Sequence, residues 1–532
     1  MLLTRPSLIR LRAALTSTLA IALIAATLLA PATPPTATRT AAAAALAPGP
    51  TLTFSTYLGG RSDDTIRAVT TDSTGIYVVG ETYSDDLAGF NGGLKGRADL
   101  FVAKVNPDGS ALVWGTYLGG SANETAAGIA LDGRGGVWVV GSSNSADFPA
   151  TSDALQGTNS GGYDAILAEL DAATGAFRYG SYYGEAGTDE ARAITTDGLG
   201  HLLITGQGGA DVMAIRIEAA SHVIAYSGYF GGSGEDGGYA VAAGPRGYAF
   251  ITGATDGVGT TFDFPLIEPL QANCGLADDA GSCGQDAFVT AITPDGQLVY
   301  STLLGGSYAG SEISSGGDIG KAIAVDPQGH IYVAGTTYAA DFPTVDAIQD
   351  TRAGQDTFAD GFLAKIAPDG ASLLFSTYLG GTQHDELRTL QVDAQGNAYV
   401  TGFSGSRDFP VKDALQASLG NGICGIGGIE RFCEDAVVAK FAPSGALTWS
   451  TYLGGGLDDY SFGLALASTG HVLVVGSAAS SAGQGFPATA GSLQPTKSLN
   501  VDGFIVRFDG ASQGTPPPGN LPYRVSLPLV RR

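Results

Sequence analysis

Histidine is scarce in this chain of 532 residues, with five copies, and cysteine is scarcer, with four. No His-Glu-x-x-His helix, Gly-x-Ser-x-Gly elbow or phosphate-binding glycine loop occurs. The sequence signatures of zinc hydrolases, serine hydrolases and nucleotide-binding enzymes are therefore missing. Cations are few as well: 27 lysines and arginines face 51 acids, for a net charge of −24. That balance repels nucleic acid and anionic lipid, so nucleic-acid binding is a poor fit. Beyond the first fifty residues no long apolar run exists. Glycine is abundant (80 residues) but lacks the every-third-residue period of a collagen.

What is present begins with a leader. Arg5, Arg10 and Arg12 precede an apolar run from about Ala13 to Ala30, followed by prolines and an alanine stretch to Ala47. This order of charge, apolar core and small residues predicts a secretory signal peptide within residues 1–50, hence export to the cell surface or beyond. An uncleaved membrane anchor is the competing reading, because the run is close to spanning length. The absence of cysteine there excludes a lipoprotein signal.

The rest of the chain repeats itself. A Tyr-Leu-Gly-Gly signature or a near copy starts at Tyr57, Tyr117, Tyr182, Tyr229, Leu303, Tyr378 and Tyr452, spaced by 60, 65, 47, 74, 75 and 74 residues. Between signatures lie a small-residue strand such as Lys321–Asp326, a tight turn, and a strand ending in glycine such as His330–Gly335. An insertion opening on Asp-Phe-Pro follows (Asp341, Phe342, Pro343), then a third strand, Asp360–Lys365, and a fourth running into the next signature. Four short strands with glycine and proline turns at this period predict the blades of a β-propeller. The small first strand, Ala191-Arg-Ala-Ile or Gly320-Lys-Ala-Ile, suits the crowded centre.

The ends fix the count. The repeat region opens on a lone fourth strand (Leu52–Leu58) and closes on a lone third strand (Gly503–Phe508). Joining them completes one blade and removes two open sheet edges. The expectation is an all-β fold: one seven-bladed propeller of four-stranded antiparallel blades over residues 51–510. A Pro/Gly linker (511–520) and a short apolar tail (521–532) follow. Ser376-Thr-Tyr-Leu-Gly-Gly381, Ala324–Gly335 and the Asp-Phe-Pro segments resemble the bacterial seven-bladed β-propeller repeat (SBBP repeat) family of exported proteins. The resemblance implies the fold and brings no catalytic residues with it. The chain departs from the pattern in its third blade, which lacks the Asp-Phe-Pro insertion, and in the degenerate third and fifth signatures.

In such a wheel the insertions and the connectors between blades share one face, and binding residues concentrate on loops carried by a rigid scaffold. The connectors bring acids there: Asp63, Asp64, Glu124, Asp189, Glu190, Glu235, Asp236, Asp385, Glu386, Asp458 and Asp459. An electronegative ring of this kind would suit a hard cation such as calcium, though no Asp-x-Asp-x-Asp-Gly loop supports one; the alternative is that each acid caps a turn. Cys274 with Cys283, and Cys424 with Cys433, sit at equal spacing in two insertions and read as disulfides bracing long loops. An acid opening every third strand (Asp99, Asp164, Asp211, Asp286, Asp360, Asp435, Asp502) reads as a structural acceptor. His201, His330 and His471 occupy turns, and His384 alone among the five stands on the insertion face.

The functional expectation is an exported, non-catalytic module that binds protein or glycan, with no cofactor. A polysaccharide-cleaving hydrolase or lyase using paired carboxylates on the same face is the alternative. A self-associating surface-layer or adhesin module is a further one.

Overall fold

The computed structural model describes residues 49–256, 263–274, 284–307, 317–354, 357–426 and 429–509. The leader, the Pro/Gly linker, the C-terminal tail and Cys283 lie outside them. Seven four-stranded antiparallel sheets form, six in simple meander order and the seventh completed by the strand that opens the repeat region. Their innermost strands are Asp64–Thr71, Glu124–Leu131, Asp189–Thr196, Asp236–Ala243, Asp318–Val325, Asp385–Val392 and Asp459–Leu466. Each touches the next, and the last touches the first, which closes the wheel around a central channel.

The predicted closure is present. Thr51–Leu58 pairs antiparallel with Asp502–Asp509, with Leu52 opposite Phe508 and Leu58 opposite Gly503, and so completes the seventh blade. The core lies between blades. Leu363 and Phe375 of the fifth, for example, pack with Leu387, Val400 and Val437 of the sixth. Only two short 3-10 turns, Pro245–Gly247 and Ala482–Gln484, interrupt the strands and loops among the described residues. No helix there is long and apolar enough to cross a membrane.

One irregularity recurs in every blade and positions the centre. After its third residue each inner strand carries a β-bulge, as between Ile66 and Ala68 or between Gly320 and Ala322. Opposite it stands the glycine that ends the second strand. A Cβ on Gly80, Gly206 or Gly402 would fall about 2 Å from the carbonyl oxygen of Thr65, Glu190 or Glu386 (2.2, 1.8 and 1.8 Å). The backbones approach too closely for any side chain, and the bulge re-aims the extra residue.

Candidate functional site

The connector acids divide into two groups. Asp64, Glu124, Asp189, Asp236, Asp385 and Asp459 are buried beneath the face, so the predicted ring loses six of its eleven members. Each accepts a backbone N–H from the fourth residue of the preceding signature: Gly60 to Asp64 and Gly232 to Asp236 at 2.6 Å, Gly381 to Asp385 and Gly455 to Asp459 at 2.7 Å, Glu185 to Asp189 at 2.8 Å, and Gly120 to Glu124 at 3.1 Å. Burial pushes Asp64 up to about 6 and Asp385 and Asp459 up to about 7. Burial also raises Glu124, Asp189 and Asp236. Their sequence neighbours Asp63, Glu190, Glu235, Glu386 and Asp458 keep contact with solvent. The turn-capping reading describes the first group.

The third-strand acids act likewise, and a residue type the sequence reading passed over joins them. Five insertions carry a Leu-Gln or Ile-Gln pair, and in four of them the glutamine ties the start of the third strand of its own blade to the end of the fourth. The Nε2 atoms of Gln156, Gln349, Gln416 and Gln494 donate to Asp164, Asp360, Asp435 and Asp502 at 2.8–3.0 Å. Their Oε1 atoms accept from the first signature glycine: Gly184, Gly380, Gly454 and Gly59 at 3.0–3.1 Å. The recurrent Leu-Gln pair was the available signal.

The signature tyrosine fastens the insertion itself. Tyr378 Oη donates to the Ala339 carbonyl and accepts from Phe342 N, both at 2.9 Å. The insertion's aspartate then accepts from the residue after the preceding signature, as Ser121 N donates to Asp147 at 2.7 Å. A Cβ on Gly120 would lie 2.5 Å from Ser145 Cβ and 2.7 Å from Asp147 Oδ1. The third blade has no such insertion, and there the same place is held by the exposed Glu185. The two departures noted in the sequence are thus one. Gly120→Glu is expected to cost about 1–3 kcal/mol through overpacking beside a carboxylate, and Glu185→Gly less than about 0.5 kcal/mol. Urea unfolding of both variants checks this; equal costs would refute the account.

Asymmetry enters at the centre. The bulged residues, one per blade, are Arg67, Ala127, Arg192, Tyr239, Lys321, Arg388 and Phe462. They meet across blade boundaries, which places them on the channel wall. The Arg67 guanidinium lies 4.6 Å from the Phe462 ring and that of Arg388 lies 4.9 Å from it. Arg192 and Lys321 lie 4.7 and 4.9 Å from the Tyr239 ring. Three of the cations are matched by a carboxylate: Arg67 by Glu81 at 3.2 Å, Arg192 by Glu190 at 3.0 Å and Arg388 by Glu386 at 2.9 Å. At the mouth His384 Nε2 adds a contact to Glu386 at 3.3 Å. Burial works against the charge on Glu386, but His384, Arg388 and Lys321 outweigh it and hold the carboxylate down at about 2. For His384 burial is likewise outweighed, by Glu386, Glu434 and Asp385, and its pKa rises.

Beside the mouth stands a hairpin, Ile423–Ile426 with Ile429–Phe432, closed by the predicted Cys424–Cys433 disulfide. Arg431 fastens it by donating to both oxygens of Asp458 at 3.0 and 2.9 Å, and the Arg407 guanidinium covers the Phe432 ring at 3.8 Å. Cys274 is disulfide-bonded too. Among the described residues one group has the ligand count for a metal, Cys424, Cys433 and Asp458, but both sulfurs are spent in the disulfide. Between this insertion and the seventh blade opens a cleft of about 580 Å³, walled by Leu415, Leu419, Asn421, Gln484 and Pro487 and by several glycines. Gly420 is there because its Cβ would lie 1.6 Å from the Gly455 carbonyl oxygen.

Seven four-stranded blades, the last completed by pairing Thr51–Leu58 with Asp502–Asp509, define a β-propeller. Residues 113–149 and 299–343 match the family described as Beta-propeller repeat (SBBP), so the chain carries that repeat at both places. No curated protein sequence matches it. Solved structures that are similar include hydrazine synthase of Kuenenia stuttgartiensis, with 10% identity, a TM-score of 0.42, and coverage of 78% of this chain and 92% of that one. Another is the quinohemoprotein alcohol dehydrogenase of Comamonas testosteroni, with 12% identity, a TM-score of 0.39, and coverage of 90% and 79%. A third is a gluconolactonase of Xanthomonas campestris, with 11% identity, a TM-score of 0.35, and coverage of 85% and 97%. These are likenesses of overall fold, and no activity is transferred from them.

Proposed function

We propose that the chain is an exported, non-catalytic propeller that binds protein or glycan at the cell surface through its insertion-bearing face, at the cleft between the sixth and seventh blades. The observation that carries this reading is the cleft's lining, which offers leucine, amide and backbone groups and no ionisable side chain. Such a wall suits hydroxyl or peptide groups and supplies neither an acid nor a base. The disulfide hairpin at its edge limits the ordering cost of binding.

The hydrolase or lyase alternative would draw on the mouth, where His384, Glu386, Glu434 and Tyr460 gather. Glu386, held at about 2, is a poor proton donor at neutral pH. The Tyr460 hydroxyl donates to Glu434 at 2.8 Å, and burial beside that carboxylate raises its pKa, which keeps it protonated and unable to act as a base at neutral pH. Glycan-array and pull-down screens with the full chain test the proposal. Asn421→Trp, which fills the cleft, is expected to weaken any ligand found at least ~10-fold at unchanged melting temperature. Blank screens together with turnover of a polysaccharide would overturn it.

A further inference from the structure

In a chain carrying −24 charges, four cations converge on one channel. Three are neutralised by glutamates at ion-pair distance. Lys321 is different. No hydrogen-bond acceptor or carboxylate among the described residues comes within bonding distance of its ammonium, which lies 4.9 Å from the Tyr239 ring. A partly buried cation with no carboxylate in contact is costly to keep: burial lowers its pKa most, Glu386 opposes this from beyond contact distance, and Arg388 and Arg192 add to the lowering. A second orphan points the same way. Arg192 Nη1 is buried without a partner, while Nε and Nη2 are engaged by Glu190 at 3.2 and 3.0 Å and Nη2 also by Gln207 at 2.6 Å.

We infer that the channel is a binding site for the carboxylate of an organic acid, with Lys321 as its counter-ion and Arg192 Nη1 as a second donor. The charge count selects the class. With Arg67, Arg192 and Arg388 each paired to a glutamate (Glu81, Glu190 and Glu386), Lys321 is the one cation of the wall without a carboxylate in contact, which a single carboxylate suits better than a phosphate dianion. The walls select an organic body rather than a bare ion, because Tyr239 and Phe462 face the same space. A free organic acid and the uronic-acid unit of an acidic glycan share this chemistry. The inference deepens the reading of this face as a binding face and rests on it, but it uses a different part of the face.

The test is isothermal titration of the full chain with D-glucuronate, benzoate and inorganic phosphate. Saturable binding of at least one of the two carboxylates is expected, with phosphate weaker. Lys321→Met should weaken the carboxylate at least ~10-fold, and Lys321→Arg should restore it to within about threefold, both at wild-type melting temperature or above. Tighter glucuronate assigns the site to an acidic glycan, and tighter benzoate to a free acid. No binding of either carboxylate, equal binding to Lys321→Met, or a preference for phosphate would overturn the inference. A blank titration beside a positive glycan screen removes the carboxylate site and leaves the cleft. A Lys321-dependent titration beside a blank screen does the reverse.

Discussion

A chain shortened to begin at Gly59 is expected to lose cooperative unfolding and to aggregate. The missing strand, Thr51–Leu58, is the outer strand of the seventh blade, and its Phe54, Tyr57 and Leu58 are 4, 0 and 5% exposed. Tyr57 Oη donates to the Ser480 carbonyl at 3.1 Å, and Gln494 N donates to Thr56 Oγ1 at 2.7 Å, so the insertion of that blade loses its fastenings too. Truncating one buried aromatic costs about 3–5 kcal/mol, and a whole domain is stable by only about 5–15 kcal/mol. Removing two aromatics, a leucine and a ladder of backbone hydrogen bonds therefore consumes most of that margin. The Asp502–Asp509 strand becomes an open edge that can template pairing with another chain. Circular dichroism melting and size-exclusion chromatography check the result, with a peptide spanning 49–60 added in trans as the rescue. A monomeric truncated chain with an unchanged melt would show that the closure is dispensable.

The wheel was legible because its devices recur. The strand-end glycine appears once per blade, the tyrosine and the paired glycines each in all blades but one, and each marks a place where backbone or ring has a set partner. The split within the acidic pairs was hidden by the pleat. Successive strand residues face opposite ways, so Asp385 is buried while its neighbour Glu386 is not, and Asp64 opens its strand and is buried while Asp63 stays in the connector before it. Hydropathy cannot assign that difference to two identical residues. Gln349 and Gln416 were overlooked because a glutamine in a loop reads as solvated, and its two bonds, to Asp360 and Gly380 or to Asp435 and Gly454, join segments far apart in the chain. Arg192 and Lys321 lay inside the stretches read as small-residue strands. They reach the channel because the bulge adds a residue and breaks the alternation, which a period of two does not register.

Those buried acids give the propeller an unusual pH response: it is expected to melt about 5 °C or more higher at pH 5 than at pH 8. Burial lifts Asp64 and Asp360 to about 6, and Asp318, Asp385, Asp435 and Asp459 to about 7. In the unfolded chain the same groups titrate near about 3.9. Between those values the folded state holds more protons than the unfolded one, so stability falls as pH rises. The contribution is fully present below about pH 4 and is lost as pH passes through 6 to 7. Glu386 works in the opposite sense, since its depressed value gives stability that is present above the ordinary glutamate range and lost as pH falls toward 2. It leaves the pH 5 to 8 window untouched. Neighbouring acids share the effect, because Asp360 raises Asp385 and Asp459 raises Asp435 across one junction. Asp459→Asn keeps the shape of the protonated acid without its charge, and calorimetry at pH 5, 6, 7 and 8 should show a smaller slope for it than for the wild type. A melting temperature that is flat or rising over that range would mean these carboxyls stay ionised in the fold. Their charge would then have to be balanced by something other than the backbone N–H groups of Gly60, Gly381 and Gly455.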